Sequence, residues 1–235
     1  MEKNETVFQF DVFDEWSLYD AIVHHNYMKH QEISQAIRDV MKSQNGPISL
    51  WDLGCGCGMM ACMIFNGIKV DQYVGVDLSD SGLERAAVNL QGVASSVQIE
   101  RAEIKSFLVT SKMACPRFVL ASFSLHHFQP DELREVLVGI EKYLEAGAKL
   151  VWVDPVRQSH ESRDEFIRRF LMDVFANWSS LSPEQLHEVE SHIQQSDYPL
   201  DDIERDKILA EAGLVVETTC YRDELYTAQL IARQT

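Results

Sequence analysis

The stretch Ile48-Ser49-Leu50-Trp51-Asp52-Leu53-Gly54-Cys55-Gly56-Cys57-Gly58 decides the fold. A short apolar run ends in glycines at alternating positions, and a helix-forming segment follows. Glycine lets the backbone turn sharply and approach a ligand closely, and free amides at the start of the next helix face the same space. Such a loop after a first strand is a generic nucleotide site, although a tight turn with no ligand would use the same residues. Outward from it, strands and helices alternate. Strands are predicted at 48–53, 73–77, 97–101, 118–122 and 149–154, with helices near 57–67, 80–90 and 131–144. Short apolar runs alternating with helices specify a mainly parallel sheet covered on both faces.

The flanks differ from this core. Between 16 and 41, apolar side chains recur at Tyr19, Val23, Tyr27, Ile33, Ile37 and Val40, which predicts one or two amphipathic helices ended by Gly46-Pro47. Residues 14–44 are read as a helical lid. A helical insertion is expected over 160–199, with the stripe Phe166, Phe170, Val174 and Trp178 followed by the capping box Ser182-Pro183-Glu184-Gln185. A helix over 200–212 stops at Gly213, and strands at 214–221 and 225–232 are joined so tightly that they must be antiparallel. The chain therefore reads as one α/β domain over 1–235. It has a doubly wound, mainly parallel seven-stranded sheet, an antiparallel C-terminal hairpin, a ligand-binding core over 48–155, and 200–235 as its final helix and hairpin.

The chain has 235 residues, 46% of them hydrophobic, and Lys+Arg 21 against Asp+Glu 37 gives a net charge of −16. That charge repels polyphosphate, so neither nucleic acid nor an anionic membrane is an expected partner. No apolar run reaches the ~18 residues of a spanning helix. The opening residues hold no basic segment followed by an apolar one, and a cytoplasmic location is expected. Five cysteines without a CxxC pair read as reduced thiols. Eight histidines show no pair with an acid at ligand spacing, so no metal is expected.

Asp77 closes the second strand in Tyr73-Val74-Gly75-Val76-Asp77-Leu78, placed to accept hydrogen bonds from both hydroxyls of a ribose. Glu103 follows the third strand. It can accept an adenine amine with Ile104 against the ring face, or serve as a solvated loop carboxylate. Together these residues resemble class I S-adenosylmethionine-dependent methyltransferases of the small-molecule type. The family's acid followed by Gly-x-Gly-x-Gly is matched by Asp52, Gly54, Gly56 and Gly58, its ribose acid by Asp77, and its adenine-side acid by Glu103, where Asp is commoner. Ala121-Ser122-Phe123-Ser124-Leu125-His126-His127-Phe128 resembles the fourth-strand motif, and Leu144-Glu145-Ala146-Gly147-Ala148 sits where the family has Leu-Lys-Pro-Gly-Gly. Arg117 departs from the acid that usually opens the fourth strand.

The resemblance covers 48–155, with 200–235 matching by topology. It implies the Rossmann-like methyltransferase fold and S-adenosylmethionine as cofactor. The implied cofactor-binding residues are Asp52, Gly54, Cys55, Gly56, Asp77, Leu78, Glu103, Ile104 and Ser122. Tyr19 and His30 of the lid are expected near the methionine carboxylate or the acceptor. A dehydrogenase would want Gly-x-Gly-x-x-Gly, whereas Met59 holds that last position and Asp52 has no role at a pyrophosphate.

Methyl transfer from a sulfonium is an in-line displacement with a neutral leaving group, so alignment and shielding matter most. A proton acceptor is needed only when the nucleophile arrives protonated. His126 and His127, just past the fourth strand, are the catalytic candidates, although one of them can simply brace the fold. In the insertion, Trp178, His187, His192, Asp197 and Tyr198 are either pocket lining or core. No Asn/Asp-Pro-Pro-Tyr signature of base methylation is present. A lid and an insertion over the strand ends predict a closed pocket for a small molecule, methylated at oxygen or nitrogen. A protein methyltransferase, or a non-catalytic domain that binds the cofactor as a regulator, is the alternative.

Overall fold

The glycine-rich stretch leaves the end of β1 (Ser49–Leu53), an interior strand of a seven-stranded sheet. The structure, a computed structural model, describes residues 16–44, 46–145 and 147–234. Ala146 of the turn resembling Leu-Lys-Pro-Gly-Gly, and the first two residues of the expected lid, lie outside these. After β1 come α3 (Met59–Ile64), β2 (Val70–Asp77), α4 (Asp80–Asn89), β3 (Ala94–Arg101), α5 (Ile104–Thr110), β4 (Phe118–Ser122), α6 (Pro130–Glu141) and β5 (Lys149–Pro155). Before β1 lie α1 (Trp16–His24) and α2 (His30–Met41). After β5 lie α7 (Arg163–Asn177), α8 (Pro183–Ser196), α9 (Asp202–Glu211), β6 (Leu214–Arg222) and β7 (Tyr226–Arg233). The strand order is β3-β2-β1-β4-β5-β7-β6, parallel except for β7, which runs antiparallel to both β5 and β6.

Alternation along each strand feeds two cores. Leu50, Tyr73, Phe118, Leu120 and Val151 face one side, against α2, α3, α7 and α8. Trp51, Val74, Val119, Leu150 and Trp152 face the other, against α5, α6 and α9. This is the doubly wound sheet with its hairpin, as expected. Every predicted strand is present. β2 and β3 begin three residues early because they pair in parallel from Val70↔Ala94 onward. The helix α5 was not foreseen; Glu103 caps it and so reads as loop in the sequence.

The N-terminal helices divide. α2 packs Ile33, Ile37 and Met41 at full burial into the core under β6 and β7, so it belongs to the body of the protein. α1 buries Leu18 and Ile22 in the same core and sets Trp16 and Tyr19 against the cavity. The insertion is likewise built inward: Phe166, Phe170, Val174 and Trp178 are buried, and Trp178 stacks on Tyr27 at 5.0 Å. Capping boxes at Ser162, Ser182 and Asp201 fix the starts of α7, α8 and α9. Among the described residues no helix is long and apolar enough to cross a membrane.

If α2 is core, Ile37→Ala leaves a cavity costing about 2–5 kcal/mol. Urea unfolding of that variant measures it; a loss below about 1 kcal/mol, as for an exposed lid residue, would return α2 to the cover.

Candidate active site

Where β1 and β4 lie side by side, the helices that follow them leave toward opposite faces, and the strand ends open into a crevice. A cavity of about 470 Å³ fills it. The loop after β1 forms its floor. Gly54 has φ +73, and a Cβ there would meet the Ser124 Cβ at 2.5 Å, so only glycine lets β1 and β4 end this close together. Ser124 Oγ donates to the Leu53 carbonyl at 2.8 Å and holds the two ends in place.

Asp77 stands across the loop. Its carboxylate accepts from the Gly56 N–H at 2.7 Å and from the Ser79 N–H at 2.9 Å. The side chain that would receive a ribose therefore also shapes the glycine loop. Ser79 caps α4 through the Gly82 N–H, which frees Asp77 from capping. Glu103 caps α5, accepting from the amides of Lys105 and Ser106 at 3.0 and 2.8 Å, while it lines the cavity beside Ile104. The Ser106 hydroxyl donates to Glu103 as well, at 3.0 Å, and since a carboxylate has about four acceptor positions, one is left for a ligand donor.

Asp52 is buried on the cavity wall and accepts from the Tyr73 hydroxyl at 2.7 Å. Tyr73 reaches it across Gly75, where a Cβ would lie 2.8 Å from the Tyr73 ring. Burial raises the Asp52 carboxyl to about 7, the Tyr73 hydrogen bond pulls it down, and the Asp77 charge raises it. The Cys55 thiol is pushed well above its ordinary value, first by burial, and lines the cavity as an apolar group.

Leu78 and Ser122 also line the cavity, as do Gly54, Gly56, Tyr19 and His127. His30 and His126 do not. His30 is fully buried behind the wall, its ring against Tyr19 at 6.0 Å and Phe123 at 5.2 Å, and burial lowers it to about 4. His126 is buried too, its Nδ1 2.7 Å from Asp154 Oδ1, an oxygen pair on which Trp152 Nε1 also converges at 2.5 Å. Burial works against its imidazolium, but Asp154 and then Asp197 outweigh it, and the net direction is upward. None of the five insertion residues named from the sequence lines the cavity; His187 is exposed, and the others pack inward.

Three wall residues carried no sequence signal. Trp16 covers the cavity from α1, its Nε1 donating to Ser81 at 2.8 Å and its ring filling the space over Gly82. Phe123 ends β4 at φ +53, a left-handed backbone rare outside glycine, and so turns its ring into the wall. Glu132 adds a further acid from α6.

Residues 51–147 match the methyltransferase domain family. The solved structure of mitomycin 7-O-methyltransferase superposes with a TM-score of 0.62 at 15% identity, over 98% of this chain and 61% of that one. Over 51–147 the chain is thus similar to a methyltransferase domain, and its fold is that of solved methyltransferases. Magnesium protoporphyrin IX methyltransferase from Synechocystis PCC 6803, solved with S-adenosylhomocysteine bound, shares the fold at a TM-score of 0.61 and 13% identity, over 95% of this chain and 97% of that one. In sequence, this chain is 24% identical over 161 residues to carboxy-S-adenosyl-L-methionine synthase of Idiomarina loihiensis, spanning 64% of this chain and 63% of that relative.

A cation bound beside Asp52 favours its ionised form. Cofactor affinity should therefore rise with pH between about 5.5 and 7.5, approaching tenfold per unit at the acid end. Asp52→Asn should flatten the curve. Calorimetric titration with S-adenosylmethionine across that range reads both; a pH-independent wild type would remove the cation from Asp52.

Proposed function

We propose that this protein transfers the methyl group of S-adenosylmethionine to the oxygen or nitrogen of a small molecule, in a cavity covered by α1. The observation that carries this reading is the placement of Asp52, Asp77 and Glu103 at the ends of β1, β2 and β3 around one cavity. That spacing suits a ligand with a cationic end, a ribose and a base laid along the strand ends. Asp77 would take the ribose hydroxyls, Glu103 and Ile104 the adenine, and Asp52 and the glycine loop the methionine end near Tyr19.

The methyl carbon then lies toward Ser122, Phe123 and His127, on the wall built by β4. Its bond to sulfur breaks as the bond to the acceptor forms, and the electron pair stays on sulfur as a neutral thioether. The protein aligns the two and keeps water out. A protonated acceptor passes its proton to the His127 imidazole on that wall, with His126 and Asp154 behind it. The apolar ring of Phe123 and the modest cavity suit a small acceptor better than a polymer, and the net charge of −16 gives no hold on nucleic acid.

Incubation with S-adenosylmethionine and panels of hydroxyl- and amine-bearing small molecules should release S-adenosylhomocysteine with a methylated product. Cofactor binding without release from any acceptor, small or protein, would favour a binding domain. Asp77→Ala should lower cofactor affinity tenfold or more, since a hydrogen bond to a charged acceptor is worth about 1.5–3 kcal/mol. Wild-type affinity in a folded Asp77→Ala protein would remove the ribose assignment.

The cover is tested by hydrogen exchange. Amides of α1 should gain protection when S-adenosylhomocysteine binds, and those of α2 should not change. Equal protection of α1 in the free and bound protein would make it a fixed wall.

A further inference from the structure

Behind the His127 wall, three histidines from two distant parts of the chain converge on one carboxylate. His126 and His127 form a single turn of 3₁₀ helix after β4, whereas His192 lies on α8 and Asp197 directly follows that helix. Asp197 Oδ1 stands 3.6 Å from His126 Nε2, 3.4 Å from His127 Nδ1 and 3.6 Å from His192 Nε2. One donor atom from each of His126, His127 and Asp197 fits within 4.8 Å of the others. Asp197 is buried, and its Oδ1 meets the three imidazoles only at 3.4–3.6 Å, with no well-formed hydrogen bond among the described residues. A buried carboxylate oxygen left so costs free energy unless a cation meets it.

We propose that this cluster is a binding site for a divalent transition metal ion of the zinc type. Donors ~2.0–2.2 Å from a tetrahedral ion stand about 3.3–3.6 Å from one another, the spacing seen around Asp197 Oδ1. The surroundings match as well. His126 turns its other nitrogen to Asp154, the carboxylate–histidine arrangement that orients a ligating imidazole. His127 Nδ1 also lies 3.2 Å from the Ser196 carbonyl, a contact that ligation through this nitrogen would replace. The backbone is already held: the Tyr198 N–H donates to the His126 carbonyl, and Arg163 binds the carbonyls of Gln194 and Asp197. Imidazole and carboxylate donors favour zinc and its neighbours over calcium or magnesium.

Such an ion fastens the insertion to the end of β4. It also ties up the His127 imidazole that would take the acceptor's proton, so metal-loaded protein would transfer methyl more slowly to protonated acceptors; this consequence rests on the methyl-transfer reading, while the site itself does not.

The chain is stripped with chelator, dialysed, and titrated with Zn²⁺ alone and with Co²⁺ alone. One equivalent should bind, Tm should rise with metal concentration, and Co²⁺ should show the visible bands of a tetrahedral nitrogen and oxygen site without thiolate charge transfer. His127→Ala and the near-isosteric Asp197→Asn should abolish the stoichiometric site, whereas His192→Ala should at most weaken it. Asp154→Asn should weaken it about 10–100-fold. Circular dichroism confirms that each variant is folded. S-adenosylhomocysteine titration of the same samples keeps the outcome separate from that of the cofactor assignment. Absence of stoichiometric metal in the wild type, thiolate bands with Co²⁺, or unchanged binding in folded Asp197→Asn and His127→Ala would overturn the proposal.

Discussion

The structure depends on the divergence of two neighbouring strands. β1 and β4 pair over only three residues, Leu50↔Phe118 to Asp52↔Leu120, and the segments that follow them turn away to opposite faces of the sheet. A parallel sheet wound both ways must have such a point, and nothing in the sheet itself can fill it. Its neighbours are set by this geometry. The glycine loop lies low enough to leave room, Ser124 locks the two strand ends, and the three acids stand at the ends of successive strands because each strand begins one step further out.

Within that frame the loop and its ligand groups share the same atoms. Asp77 holds the Gly56 amide, so the residue suited to a ribose also keeps the loop in its working shape. Glu103 serves α5 as a cap in the same way. Groups with a structural task as well as a binding one are held in place before a ligand arrives, and a bound molecule pays little to order them. Asp52 is the exception. Its carboxyl is buried, and only Tyr73 is there to steady its charge. This is the part of the cavity most sensitive to the charge of whatever occupies it.

Much of this was legible in the sequence because it is local. The strand, the glycine loop and the acid that closes β2 recur at short, fixed spacings, and eleven of the thirteen site residues named from sequence line the cavity; His30 and His126 stand behind it. What stayed hidden depends on the fold. An amphipathic stripe reads the same whether it covers a pocket or enters a core, so α2 could not be told from α1. His192 and Asp197 are some seventy residues from His126, and no spacing rule links them. Trp16 gave no signal because its seat is the missing side chain of Gly82, a vacancy visible only from the far side of the contact. Phe123 reads as an ordinary strand residue, and its backbone strain arises from the turn imposed by Ser124 and Val153 around it.

The seat of Trp16 has one more consequence. The indole is held by Ser81 and lies under the Arg85 guanidinium, which is itself gripped by both oxygens of Asp20 from the same helix as Trp16. Ser81 and Arg85 both sit on α4, the helix that starts directly after Leu78 and Ser79 at the cavity mouth. The cover and the rim it closes upon are thus latched to a single rod. An aromatic ring, a hydroxyl and a forked ion pair join α1 to the rim of the cavity, and any displacement of α1 from α4 would break all three together.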